Sequence, residues 1–205
     1  MNMNVINTLI NEFIGVISNV LLFSVIPLVW YIIREKSSKG FFYSIGIYKP
    51  QKMNLFAMII IIAAVYLVTL LANVLVIKLG YSGRSIVNTH EFTLLSFFIY
   101  LLLYGLKTGI AEEVFFRGFV AKKLIKNLGF SKGNVVQAVV FALPHFVIRG
   151  SASLLDIIVR IINAFLLGYT FGYIMDRKSN GSIIPVMISH ILINMTSSLI
   201  LSMIL

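Results

Sequence analysis

An all-α, polytopic integral membrane protein of about six transmembrane helices is predicted for this chain by its composition, its long uncharged stretches and the placement of its basic residues. Hydrophobic residues make up 59% of the 205 positions and charged ones only 12%, with a mean hydropathy of +0.98. A soluble globule of this length has no interior large enough for that much apolar surface. The formal net charge of +10 would suggest nucleic acid on a soluble domain. Here the basic residues cluster in short segments between apolar runs, where membrane topology and anionic lipid account for them, so no nucleic-acid partner is expected. Cysteine is absent, which removes disulfides, thiol nucleophiles and thiolate metal ligands together. Any chemistry falls to carboxylates, imidazoles and amides.

Taken in order, Phe13 to Ile33 carries no charge and is long enough to cross a bilayer. It lacks the basic leader and small-residue cleavage pattern of a signal peptide, so it is expected to stay as an anchor. Arg34, Lys36, Lys39, Lys49 and Lys52 then form a basic loop, in which FFYSIGIY reads as an interfacial segment with aromatic anchors. Met53 to Ile77 is a second uncharged span. Phe92 to Leu106, Asn134 to Ile148, and Ile157 to Met175 are shorter or less clean spans, the last holding Arg160 and Asn163. Gly181 to Leu205 has His190 as its one titratable side chain. With the first basic loop in the cytoplasm, Lys78 and Arg84 fall outside, Lys122, Lys123, Lys126 and Lys132 inside, Arg149 outside, and Arg177 and Lys178 inside. Both termini are then extracytoplasmic. No repeat, soluble domain or low-complexity linker interrupts the chain, which reads as one membrane domain over 1–205. Its richness in Ile, Lys and Asn suits an AT-rich bacterial genome.

Ionisable groups in lipid are costly, and three clusters of them stand out. Glu113 and Arg117 are four apart and can pair on one helix face, while Glu112 is turned about 100° away and left available. An ordinary interfacial ion pair is the plain alternative. His145 lies roughly 16 Å from the cytoplasmic end of its span and His190 about 13 Å from that of its own. Those matching depths favour a shared polar cavity, although a lone membrane histidine is commonly an interhelical hydrogen-bonder. Glu112 would sit shallower than both unless its helix tilts or breaks near Gly105 and Gly109. Pro144 removes the hydrogen bond its N–H would have given Val140, so the helix should kink or open beside His145. His190 and Asn194, again four apart, aim an imidazole and an amide at one place, as an oxyanion site requires. Asp156 with Arg160 reads as a structural ion pair and Asn163 as an interhelical hydrogen-bonder.

The order Glu112-Glu113-Val114-Phe115-Phe116-Arg117, then Phe141-Ala142-Leu143-Pro144-His145, then His190-Ile191-Leu192-Ile193-Asn194 resembles the CAAX-protease and bacteriocin-processing family of intramembrane endopeptidases, which includes the eukaryotic Ras-converting enzyme. The resemblance covers about residues 92–205, the expected catalytic core, and implies peptide-bond hydrolysis in a cavity open to the cytoplasm. It gives Glu112 the role of general base assisted by His145, and His190 with Asn194 that of oxyanion site. Glu113 and Arg117 become an orienting pair behind Glu112. A glutamate mechanism without cofactor is favoured; zinc or another divalent metal on Glu112, His145 and His190 is the alternative, although HExxH is lacking. The expected partners are the lipid bilayer and a membrane-associated peptide or protein substrate. A prenylated CAAX protein, a leader peptide and a membrane-anchored regulator all suit the residues. A non-catalytic bacteriocin-immunity or partner-stabilising protein on the same fold is the competing reading, and a transporter the third.

Overall fold

In the computed structural model, which describes residues 2–51, 53–82, 91–146 and 153–204, the first helix, α1 (Met3–Glu35), begins where Asn2 accepts from the Asn4 amide at 3.0 Å. It starts ten residues before Phe13 because Glu12 is tolerated inside it. Lys107 Nζ stands 2.7 Å from Glu12 Oε2, so the carboxylate that ends the uncharged run is neutralised by another helix. Lys36 terminates α1 in the left-handed region at φ 52°. A single turn, α2 (Phe41–Ser44), follows. Of the aromatic segment expected at the interface, Phe42 and Tyr43 are exposed while Phe41 and Ile45 are buried.

α3 (Leu55–Lys78) is capped by Asn54 and α4 (Leu94–Glu112) by Thr93, each accepting from a first-turn amide. The chain then stays helical through a π-helical segment, Glu113–Ala121, into α5 (Lys122–Ala142) and a 3-10 turn at Leu143–Phe146. α6 (Leu154–Tyr173) is capped by Ser153 and runs into a π turn at Ile174–Lys178. α7 (Ile184–Ile204) starts three residues later than expected. Asn180 and Gly181, both at positive φ (50° and 80°), form a turn before it.

Among the described residues five helical runs are long and apolar enough to cross a membrane. The expected third and fourth spans, Phe92–Leu106 and Asn134–Ile148, are parts of one run, Leu94–Phe146. A straight helix of its 53 residues would measure about 80 Å, more than twice a bilayer's hydrocarbon thickness of about 30 Å. Gly129, at φ 74° and ψ 165°, interrupts the helical backbone and divides the run. Lys52, Arg84 and Arg149, used to assign topology, and the span ends Ile148 and Leu205 lie outside the described residues.

Two compact units make up the chain. The first, Met1–Lys49, Val87–Phe119 and Ile183–Ile204, contains α1, α2, α4 and α7. Within it α4 packs against both α1 and α7, Phe23 meets Phe115 edge-on at 5.7 Å, and Trp30 meets Phe119 at 5.7 Å. The Gly46 carbonyl accepts from the Ile183 amide at 2.9 Å, which ties the α2 loop to the start of α7.

The second unit, Pro50–Ile86 and Val120–Ser182 with Leu205, packs α6 against α3 and α5. Its helices are joined by buried amides. Gln137 donates to the Gly168 carbonyl at 2.7 Å and Asn134 to that of Tyr169 at 3.0 Å. A Cβ at Gly172 would overlap Asn134 Oδ1, so only glycine admits the close approach. Asn163 bonds across to α3, reaching the Thr69 carbonyl and Asn73 Oδ1 at 3.1 Å each, and is the interhelical bonder its sequence position suggested. Asp156 and Arg160 pair at 2.6 Å.

Candidate active site

The site in the first unit depends on how closely α7 crosses α4. A Cβ at Gly105 would stand 2.8 Å from the Ile191 carbonyl oxygen, and one at Gly109 would stand 2.6 Å from Ile191 Cγ1 and 3.0 Å from its amide nitrogen. Small residues four apart on a membrane helix let a second backbone approach to this distance. Gly105 and Gly109, where a tilt or break would have been needed to deepen Glu112, lie inside an unbroken α4 and act as its crossing surface. Residue order rises along α4 as it falls along α7, which sets Thr108 against Asn194 and the two glutamates against His190.

Glu113 and Arg117 pair at 2.9 Å with both side chains fully buried. The same Glu113 oxygen lies 2.7 Å from His190 Nδ1. A carboxylate oxygen that accepts from a guanidinium offers lone pairs alone, so His190 Nδ1 must be the donor, and Glu113 thereby fixes the ring's tautomer. Nε2 then points towards Glu112, at 3.8 Å from Oε2. Glu112 is the accessible carboxylate, its side chain 20% exposed against 0% for Glu113. The last residue of α4 and the first of the π segment thus carry unlike carboxylates: one sealed between two cations or donors, one open.

Asn194 donates from Nδ2 to Thr108 Oγ1 at 2.7 Å. His190 and Asn194, expected to point from one helix face towards one place, each commit one donor to a neighbour, Glu113 or Thr108, which orients what remains. Sequence reasoning missed Thr108. Its signal was spacing, since it stands four residues before Glu112 and so on that helix face.

His145 belongs to the second unit. Pro144 sits in the 3-10 turn that replaces the last α turn, as a missing backbone donor predicts. There His145 Nδ1 lies 3.2 Å from the Phe141 carbonyl oxygen, and its ring tilts against Phe141 at 5.5 Å.

Among the described residues no three His, Asp or Glu side chains are grouped so that they could hold a metal ion.

No curated protein and no solved structure matches the chain. The type II CAAX prenyl endopeptidase Rce1-like family matches it over residues 94–196, half of its 205 positions. That stretch holds all three motifs, with Glu112, His145, His190 and Asn194. The chain belongs to the type II CAAX prenyl endopeptidase Rce1-like family.

Proposed function

We propose that the protein is an intramembrane endopeptidase that hydrolyses a peptide bond in a membrane-associated or lipidated protein or peptide, with Glu112 as the base that activates water. One observation carries the assignment. Of two adjacent carboxylates, Glu113 is sealed by Arg117 and His190, whereas Glu112 is partly exposed and faces the His190 ring.

The chemistry is written on protein groups. The Glu112 carboxylate takes a proton from water, and the hydroxide adds to the scissile carbonyl. His190 can donate to the developing oxyanion through Nε2 only as imidazolium, because Nδ1–H is given to Glu113. The second Nδ2 hydrogen of Asn194 is the other oxyanion donor. Glu112 then passes its proton to the leaving amine, which restores the carboxylate. His145 enters as helper to the base on the strength of motif order. The basic residues around Lys122–Lys132 and at Arg177 and Lys178 orient the site towards the cytoplasm.

The test is cleavage of an internally quenched, farnesylated CAAX peptide by purified protein, with the unlipidated peptide in parallel. Glu112→Gln should reduce turnover by about 10²–10⁴ while the protein stays folded. Equal cleavage by wild type and variant sinks the role given to Glu112.

A further inference from the structure

We infer that Thr108 is a positioning residue for the oxyanion site, holding the Asn194 amide in the orientation that aims its second hydrogen at the reacting carbonyl. The inference rests on the peptidase reading above and adds a residue outside its three motifs.

An asparagine side chain can turn its amide by 180° at little cost, exchanging donor for acceptor. An oxyanion site needs the donor in place before the charge develops, because a dipole that must reorient during the reaction loses most of its effect. Asn194 has its orientation fixed from α4. Its Nδ2 donates to Thr108 Oγ1 at 2.7 Å, and an exchanged amide would put Oδ1 there. The hydroxyl could then donate to Oδ1, so the Asn194–Thr108 bond alone does not choose. In the structure the Nδ2 end is the one that faces Thr108, and a 2.7 Å bond to a residue of an unbroken helix pins the position of the Asn194 side chain and leaves the second Nδ2 hydrogen for the reacting carbonyl. Thr108 is a half-buried residue four before the last residue of α4. Gly105 and Gly109 flank it and hold the α7 backbone at contact, so the pair cannot drift apart. Thr108 is also four residues before Glu112. The oxyanion donor and the base are therefore set from consecutive turns of one helix.

The experiment compares Thr108→Val, which keeps the shape and removes the hydroxyl, with Thr108→Ser, which restores it. With the quenched farnesylated peptide, Thr108→Val should lower kcat about 3- to 10-fold, the worth of one hydrogen bond, with KM within about twofold. Thr108→Ser should recover most of it. Added to Asn194→Ala, Thr108→Val should cost nothing further. An unchanged kcat in Thr108→Val, or an equal loss in the Asn194→Ala background, overturns the inference. A second readout needs no turnover: in asparagine-labelled protein, the Asn194 side-chain amide resonances, identified by their loss in Asn194→Ala, should shift in Thr108→Val and return in Thr108→Ser. Unshifted resonances overturn it too. If wild type and Glu112→Gln cleave alike, the peptidase reading fails, while the resonances still report whether Thr108 holds the amide.

Discussion

Removing Arg117 alone should damage this protein far more than removing the ion pair it belongs to. Arg117 and Glu113 are both fully buried and meet at 2.9 Å. Arg117→Met leaves the Glu113 carboxylate without its guanidinium in an interior it cannot leave, a change that typically costs about 3–5 kcal/mol. His190 also donates to that oxygen at 2.7 Å, which leaves the carboxylate one hydrogen-bond partner and points to the lower end of the range. For a chain of this length each kcal/mol moves Tm by roughly 2–4 °C, so a loss of about 6–12 °C is expected. The double variant Glu113→Gln/Arg117→Met removes both charges, and the glutamine oxygen still accepts from His190. Its Tm should return to within about 4 °C of wild type, since replacing a whole buried pair is often neutral. The measurement is thermal unfolding of the detergent-solubilised protein, followed by tryptophan fluorescence or by aggregation onset. Equal losses in single and double variants, or a single-variant loss below about 2 °C, would refute the account of Glu113 as a charge held by Arg117.

Gly105→Ala should destabilise the protein by about 1–3 kcal/mol and cut cleavage, because the new methyl meets the Ile191 carbonyl oxygen at 2.8 Å. Gly15→Ala meets Lys107 Cδ at the same 2.8 Å, but a flexible side chain can yield, so paired thermal scans should show that variant near wild type. Cleavage should persist after dialysis against EDTA or 1,10-phenanthroline. Loss of activity that zinc restores would contradict a mechanism written on protein groups.

Much of the fold was legible because lipid demands long apolar helices, and these leave a plain mark on sequence. What composition cannot show is compensation between helices. Glu12 ended the first apolar run on paper, yet Lys107 from another helix keeps it inside α1. Gly105 and Gly109 read as weak points, since a glycine's cost is local while its use, the approach of Ile191, is tertiary. At the site, four-residue spacing paired Glu113 with Arg117 and left Glu112 apart, and that pairing is present. The same spacing said nothing of His190 reaching Glu113, or of Asn194 reaching Thr108, because both links join α7 to α4 or the π-helical segment after it, across some 80 residues of chain.

The pair between Glu12 and Lys107 bears on modularity. The sequence shared with the family begins at residue 94, yet Lys107, inside it, is neutralised by a carboxylate from α1, outside it. Phe115 and Phe119 likewise lean on Phe23 and Trp30 of that first helix. A fragment trimmed to the recognisable stretch would carry an orphaned ammonium on the same helix as Glu112. Shared ancestry and structural self-sufficiency thus have different borders in this chain, and any grafting or minimisation of the site has to carry α1 along.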